Sequence, residues 1–274
     1  MRYLRIIAVL LLVFSLLFTS WANSHYYSNL NTDYPTITNS VESLQISVQD
    51  PPEAIFQGLC ASDATDGDLT DQIMVASVSH FLEPATISVK YVVFDSHNNS
   101  ATLTRRVHYT DYTAPQFSLD KAPVYTTGSS FDLLNYVRLE DCIDGDISDR
   151  IRVISNKVNN YSVGTFPVLL EGSNSYGDTA QITLWVTYLN KESTAHVTLH
   201  RYIVYVQQGD SFDPMQWFAT VTDRNAKTLD QEHIEIQGNL DVNTPGCYQL
   251  VYSYDDGKLT GQAPLTVVVT EKEG

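Results

Sequence analysis

The chain repeats itself, and that fact limits its folds more than any other. The stretch Ala61-Ser-Asp63-Ala-Thr-Asp66-Gly67-Asp68-Leu69-Thr70-Asp71-Gln-Ile73-Met-Val75 returns 78 residues later as Leu139-Glu-Asp141-Cys-Ile-Asp144-Gly145-Asp146-Ile147-Ser148-Asp149-Arg-Ile151-Arg-Val153. Four aspartates, a glycine and two β-branched positions superpose without a gap. A second recurrence brings in the last third of the chain: Gly128-Ser-Ser-Phe131-Asp132 matches Gly209-Asp-Ser-Phe212-Asp213 at an offset of 81. Ala85-Thr-Ile87-Ser-Val89, Gly164-Thr-Phe166-Pro-Val168 and Gly246-Cys-Tyr248-Gln-Leu250 form a third series, with offsets of 79 and 82. Units of about 80 residues repeated three times are the expectation.

Inside each unit the apolar period is 2, as in Ile87, Val89, Tyr91 and Val93, in Ile182, Leu184 and Val186, and in Tyr248, Leu250, Tyr252 and Tyr254. Successive side chains on a strand face opposite ways, so this alternation marks strands buried on one side. The runs are short and are separated by Asp, Asn, Gly and Pro clusters, and no amphipathic helical stretch follows residue 22. The predicted fold class is all-β: three tandem immunoglobulin-like β-sandwich domains after an N-terminal apolar signal or anchor helix. The predicted boundaries are 1–22 (signal peptide or anchor), 23–35 (flexible spacer), 36–113, 114–191 and 192–274, the last a degenerate copy. Short polar linkers, Thr110 to Pro115 and Leu189 to Ser193, are expected to hold the modules end to end.

The N-terminus has Arg2 and Arg5, then the apolar run Ile6 to Phe18 broken by Ser15, then Thr19-Ser20-Trp21-Ala22. Such a run as helix reaches only about 20 Å, short of the ~30 Å hydrocarbon core, and Ser20 with Ala22 gives the small-x-small pattern of a cleaved signal peptide. The competing expectation is an uncleaved signal anchor. Either one exports the rest of the chain, secreted or tethered to the outer face of the cytoplasmic membrane.

The pattern A-x-D-x-x-D-G-D-[LI]-[TS]-x-x-[IL]-x-V, followed by an alternating strand ending near Asp95, Asn174 or Asp256, resembles the bacterial Ig-like domain first described in an insecticidal crystal toxin. The linker Thr113-Ala114-Pro115 is similar to that family's as well. The resemblance covers residues 36 to 270 and departs from the pattern in the third unit, where Val221-Thr-Asp223-Arg-Asn replaces the acidic turn. It implies tandem arrays on secreted or surface-attached bacterial proteins, acting as spacers or adhesive modules, and it supplies no catalytic residues to carry over.

With 16 Lys and Arg against 32 Asp and Glu, the net charge of -16 repels nucleic acid and anionic membranes. The membrane enters only through an uncleaved N-terminal segment. The aspartates Asp63, Asp66, Asp68, Asp71, Asp141, Asp144, Asp146 and Asp149 have two readings. One makes them Ca2+ ligands that stiffen the array, since Ca2+ takes six to eight oxygens and closely spaced carboxylates supply several. The other makes them turn residues, glycine providing φ > 0 while Asp carboxylates accept backbone N–H groups. The spacing is not that of an EF-hand, which would put Ile73 where a bidentate Glu is needed.

Cys60, Cys142 and Cys247 are far apart, with no C-x-x-C spacing and an odd count, which argues against zinc and leaves at least one thiol unpaired. His196 and His200 lie about 13 Å apart along a strand, too far for one metal. No H-E-x-x-H, P-loop or G-x-S-x-G is present, so the chain is expected not to be an enzyme; a hydrolase with an unrecognised site is the remote alternative. The expected partner is a protein or a glycan at the cell surface. Carbohydrate binding through exposed aromatics is the second reading, with Tyr26, Tyr27, Tyr34, Tyr109, Tyr112 and Tyr202 as candidate platforms.

Overall fold

A computed structural model describes residues 2–28, 33–130, 132–190 and 195–272. The side chains of Tyr26 and Tyr27, the residue Phe131, and parts of the predicted spacer and second linker lie outside the described residues. The fold is mostly β, arranged in several sheets, as the alternation predicts. The chain divides into two compact units, Met1–Tyr109 and Thr110–Gly274.

In the first unit helix α1 (Arg2–Ser28) precedes seven strands: β1 (Thr36–Asn39), β2 (Ser43–Ile46), β3 (Leu59–Asp63), β4 (Gly67–Asp68), β5 (Met74–Val78), β6 (Thr86–Phe94) and β7 (Ser100–Tyr109). One sheet has the order β1-β3-β4 and the other β2-β7-β6-β5. Helix α1 continues past Ser20 and Ala22, the expected cleavage site, to Ser28. Among the described residues no helix is long and apolar enough to cross a membrane.

The second unit carries β8 (Gln116–Leu119), β9 (Val124–Thr126), β10 (Val137–Asp141), β11 (Gly145–Asp146), β12 (Arg152–Asn156), β13 (Gly164–Ser173) and β14 (Thr179–Leu189). Then come β15 (His196–Leu199), β16 (Ile203–Gln207), β17 (Phe218–Thr222), β18 (Ile234–Gly238), β19 (Gly246–Asp255) and β20 (Thr260–Thr270). Its sheets have the orders β11-β10-β8, β12-β13-β14-β9, β15-β17 and β16-β20-β19-β18.

These orders are one topology met three times. In each case a four-stranded sheet is antiparallel except at one edge, where a short early strand runs parallel to the last long one: β2 with β7, β9 with β14, and β16 with β20. The first two copies also share a bulge, at Val75/Ser77 and at Val153/Ser155. The third lacks a counterpart of β4 and β11 among the described residues. There Asp223 closes a tighter turn, its Oδ1 accepting from Asn225 N and Lys227 N at 2.8 and 3.0 Å.

Inward positions of the long strands form the core. Ile87, Val89, Tyr91 and Val93 of β6 are at most 1% exposed, and so are Ile182, Leu184, Val186 and Tyr188 of β14. In the second unit the core runs on from Phe117 through Val186 to Leu265 and Val269, so the second and third repeats share one hydrophobic cluster. Tyr205 Oη accepts from Phe117 N at 2.7 Å and the Cys247 thiol donates to Thr183 O at 3.3 Å, which adds polar ties between them. Cys60, Cys142 and Cys247 are all free thiols.

Backbone approach in this unit is closest at Gly261, where a Cβ would meet Ala195 O at 2.1 Å and Ala195 C at 2.8 Å. A backbone neighbour cannot retreat as a flexible side chain can. Gly261→Ala is therefore expected to cost about 2 kcal/mol through forced displacement of the chain entering β15, measured as a lower urea midpoint at unchanged slope.

Candidate functional site

The acidic turns fold as their residue types dictate. In the first repeat the Asp63 carboxylate accepts Thr65 N and Asp66 N on Oδ1, at 2.8 and 3.0 Å, and Asp68 Oδ1 accepts Thr70 N at 2.9 Å. The second repeat copies this, with Asp141 Oδ1 accepting Ile143 N and Asp144 N, and Asp146 Oδ1 accepting Ser148 N, each at 2.9 Å. Gly67 and Gly145, with φ of 76° and 73°, take the left-handed conformation these turns need. Asp71 and Asp149 sit exposed on the short 3-10 turns that follow.

A second turn meets each acidic turn from about 30 residues away. Between β6 and β7, Asp95 Oδ1 accepts His97 N and Asn99 N at 2.8 and 2.7 Å, and Asp95 Oδ2 accepts Asn99 Nδ2 at 2.8 Å. Between β13 and β14, Asn174 Oδ1 accepts Tyr176 N and Asp178 N, both at 3.0 Å. Asn98 and Gly177, with φ of 65° and 79°, close the two turns alike. The hairpin turn and the acidic turn are joined by Ser96 N donating to Asp66 Oδ2 at 2.8 Å and by Ser175 N donating to Asp144 Oδ2 at 2.7 Å. One ligand atom from each of Asp66, Asp95 and His97 falls within 4.8 Å of the others. Of these, Asp66 is among the aspartates singled out in the sequence. Asp95 and His97 are not, although the matching strand ends at Asp95 and Asn174 are the signal that leads to them.

The two repeats differ in how these carboxylates are satisfied. In the second, Asn174 Nδ2 donates to Asp141 Oδ2 at 3.1 Å and to Tyr112 Oη at 2.9 Å, and Tyr112 Oη donates to Asp178 Oδ2 at 2.6 Å. Arg150 Nη1 lies 2.7 Å from Asp144 Oδ2. Burial raises the Asp144 pKa, but donors from Ser175 and Arg150 outweigh it and hold the carboxyl below its usual range. In the first repeat Asp63 Oδ2 is buried without a hydrogen-bond partner. Asp95 is also buried, yet its Asn99 and His97 donors keep its carboxyl below the usual range against the burial penalty.

The second unit also carries a cleft of about 1000 Å³ between β8 and the segment 198–217. Half-buried Phe212 and Trp217 border it, with Asp120, Glu140 and Arg201 exposed at its edges. Of the tyrosines considered as platforms, Tyr34 is 67% exposed, whereas Tyr109 and Tyr202 are buried at 9% each and Tyr112 is tied to Asp178. His196 and His200 are both exposed, His196 at the start of β15 and His200 just past its end at Leu199, not on one strand as the sequence predicts.

Residues 201–269 match the family model described as the Ig-like domain of bacterial surface proteins. The chain is 27% identical over 167 residues to the pesticidal crystal protein Cry22Aa of Bacillus thuringiensis, covering 57% of this chain and 22% of that protein. Both findings bear out the resemblance read from the repeats. The family match falls on the third repeat, the one whose acidic turn is lost. Among solved structures, the M60 catalytic domain with the CBM51-1 and CBM51-2 domains of Clostridium perfringens ZmpB overlaps 89% of this chain and 31% of its own, at 16% identity and a TM-score of 0.25. The protocadherin GammaB4 extracellular domain overlaps 88% of this chain and 52% of its own, at 11% identity and a TM-score of 0.22. The chain thus spans about a fifth of the crystal protein and a third of the ZmpB chain. Scores this low carry no statement about partner or ligand.

Proposed function

We propose that this chain is an exported bacterial surface module that acts as a spacer and interaction element, with no chemical step of its own. The match of residues 201–269 to a bacterial surface Ig-like domain carries this reading. The apolar N-terminal segment would deliver the chain to the outside, and the net charge of -16 suits a well-solvated extracellular module. Three sandwich domains with the boundaries predicted from the repeats remain part of the proposal.

The cleft at Phe212 and Trp217 favours a second, narrower reading in which the partner is a glycan. Half-exposed aromatic faces beside carboxylates and a guanidinium match the apolar faces and hydroxyls of a sugar. Binding of the labelled chain to intact bacterial cells tests both. Saturable binding that falls at least tenfold with Trp217→Ala supports an interaction module using this cleft. Loss after periodate treatment of the cells identifies a glycan, and loss after protease treatment identifies a protein. Absence of saturable binding to any cell surface, with the chain confined to the cytosol of its host, overturns the proposal.

A further inference from the structure

Offset by 79 residues, the hairpin turns make the same backbone hydrogen bonds, Asn99 O and Asp178 O accepting from Asp95 N and Asn174 N, and Asp95 O and Asn174 O accepting from Asn98 N and Gly177 N. Asp95 Oδ1 takes the two backbone donors that Asn174 Oδ1 takes, so Asp95 Oδ2 occupies the place of Asn174 Nδ2. The acidic turns superpose too, with Asp63↔Gly67 pairing as Asp141↔Gly145 does. In the second repeat the amide nitrogen at that place donates to Asp141 Oδ2. In the first, the side chain at that place is a carboxylate whose Oδ2 accepts from Asn99 Nδ2 at 2.8 Å, and the buried Asp63 Oδ2 has no hydrogen-bond partner. Both aspartates are more than nine-tenths buried, with exposures of 7% for Asp63 and 6% for Asp95. Gln72 stands where Arg150 stands, so the guanidinium that neutralises Asp144 has no equivalent beside Asp66. Ser175 Oγ also donates to Asp144 Oδ1 at 2.8 Å, whereas Ser96 Oγ is turned to His97 Nδ1 at 3.1 Å.

In the first repeat the Asp66 and Asp95 carboxylates and the His97 imidazole bring ligand atoms within 4.8 Å of one another, with the unpartnered Asp63 Oδ2 in the same acidic turn as Asp66, where the second repeat has an amide at Asn174 and a guanidinium at Arg150. A buried carboxylate oxygen with no donor needs a proton or a cation. We propose that the first repeat binds one divalent cation through Asp66 and Asp95, with Asp63 Oδ2 on its buried side and His97 on its exposed side, and that in the second repeat Asn174 and Arg150 take the place of the ion. The hard oxygen donors suit Ca2+, with water and backbone carbonyls completing its shell; the imidazole would bring Zn2+ within range if it ligates. This site is independent of the cleft and of any cell-surface partner.

The test is calorimetric titration of the chelator-stripped full chain with Ca2+ and, separately, Zn2+, paired with thermal melts in ion and in chelator. One ion per chain is expected, with a dissociation constant of about 10⁻⁴ to 10⁻³ M for Ca2+, the range of extracellular modules, and with a raised melting temperature. Asp95→Asn recreates the second repeat's arrangement and should melt in chelator at least as high as wild type while binding at least tenfold more weakly. Asp66→Asn should also weaken binding at least tenfold, and Asp144→Asn should leave it unchanged. Ca2+ bound ahead of Zn2+ assigns an all-oxygen site, and the reverse order adds His97 as a ligand; both support the proposal. It is overturned if neither ion binds at millimolar concentration, or if Asp95→Asn binds as tightly as wild type.

Discussion

Arg105→Ala is expected to lower the stability of the first unit by about 4 kcal/mol, seen as an early unfolding transition in urea and a drop in melting temperature of about 15 °C or more. Arg105 is 2% exposed on the inward face of β7. Its Nη1 donates to Gln57 O at 2.7 Å, its Nη2 donates to Ile55 O, and the guanidinium lies 5.4 Å over the Tyr91 ring. Tyr91 Oη donates to the same Ile55 carbonyl. One side chain thus holds the end of the 3-10 turn Pro52–Phe56 against the strand beneath it. Truncation leaves the Ile55 and Gln57 carbonyls short of donors and opens a hole beside Tyr91. The other repeats place Leu184 and Leu265 at this register, opposite Val168 and Leu250 as Arg105 is opposite Val89. Arg105→Leu is the informative control. A loss of about 1 to 3 kcal/mol would assign the arginine's value to its carbonyl bonds. A gain would show instead that burying the charge is a net cost which the leucines avoid.

Asn174→Asp should destabilise the second unit by about 3 kcal/mol at pH 7, because it sets a carboxylate against Asp141 Oδ2, now 3.1 Å from an amide nitrogen. The sign with pH is fixed. Like charge and burial raise the pKa of the new pair in the folded state above the unfolded value of about 3.9. Stability is thus retained below that value, where a proton bridges the pair, and is lost as pH rises through the folded pKa. Urea midpoints of wild type and variant should converge near pH 3.5 and separate by pH 7. A separation independent of pH would mean that the amide matters through its bond to Tyr112, not through charge.

Much of this fold was legible in the sequence because it rests on local signals. The alternation of Ile87, Val89, Tyr91 and Val93 gave β6, and the Asp-Gly-Asp spacing gave both acidic turns. What escaped detection depends on closure across distance. Asp95 and His97 approach Asp66 only after β6 has formed and reversed, and no pattern within a short window connects them. Arg105 breaks the binary code outright, a charge at an inward position whose partners are carbonyls nearly 50 residues earlier. The shared cluster of the second and third repeats uses apolar residues that each repeat, taken alone, could equally spend on its own interior. The third repeat shows the motif and the fold parting company: its acidic turn is gone, the order of its four-stranded sheet is kept, and the family match lies there.

The parallel edge pairing has a mechanical consequence. In each copy a strand near the start runs alongside the strand that ends it, as Ser43–Ile46 runs alongside Arg106–Tyr109 and Ile203–Gln207 alongside Thr266–Thr270. Tension applied at the two ends of such a copy pulls the paired strands past each other along their length. The hydrogen bonds between them then bear the load together and must rupture together, whereas a hairpin pulled open at its free ends gives way one rung at a time. A chain built this way resists stretching well beyond what its equilibrium stability alone would suggest.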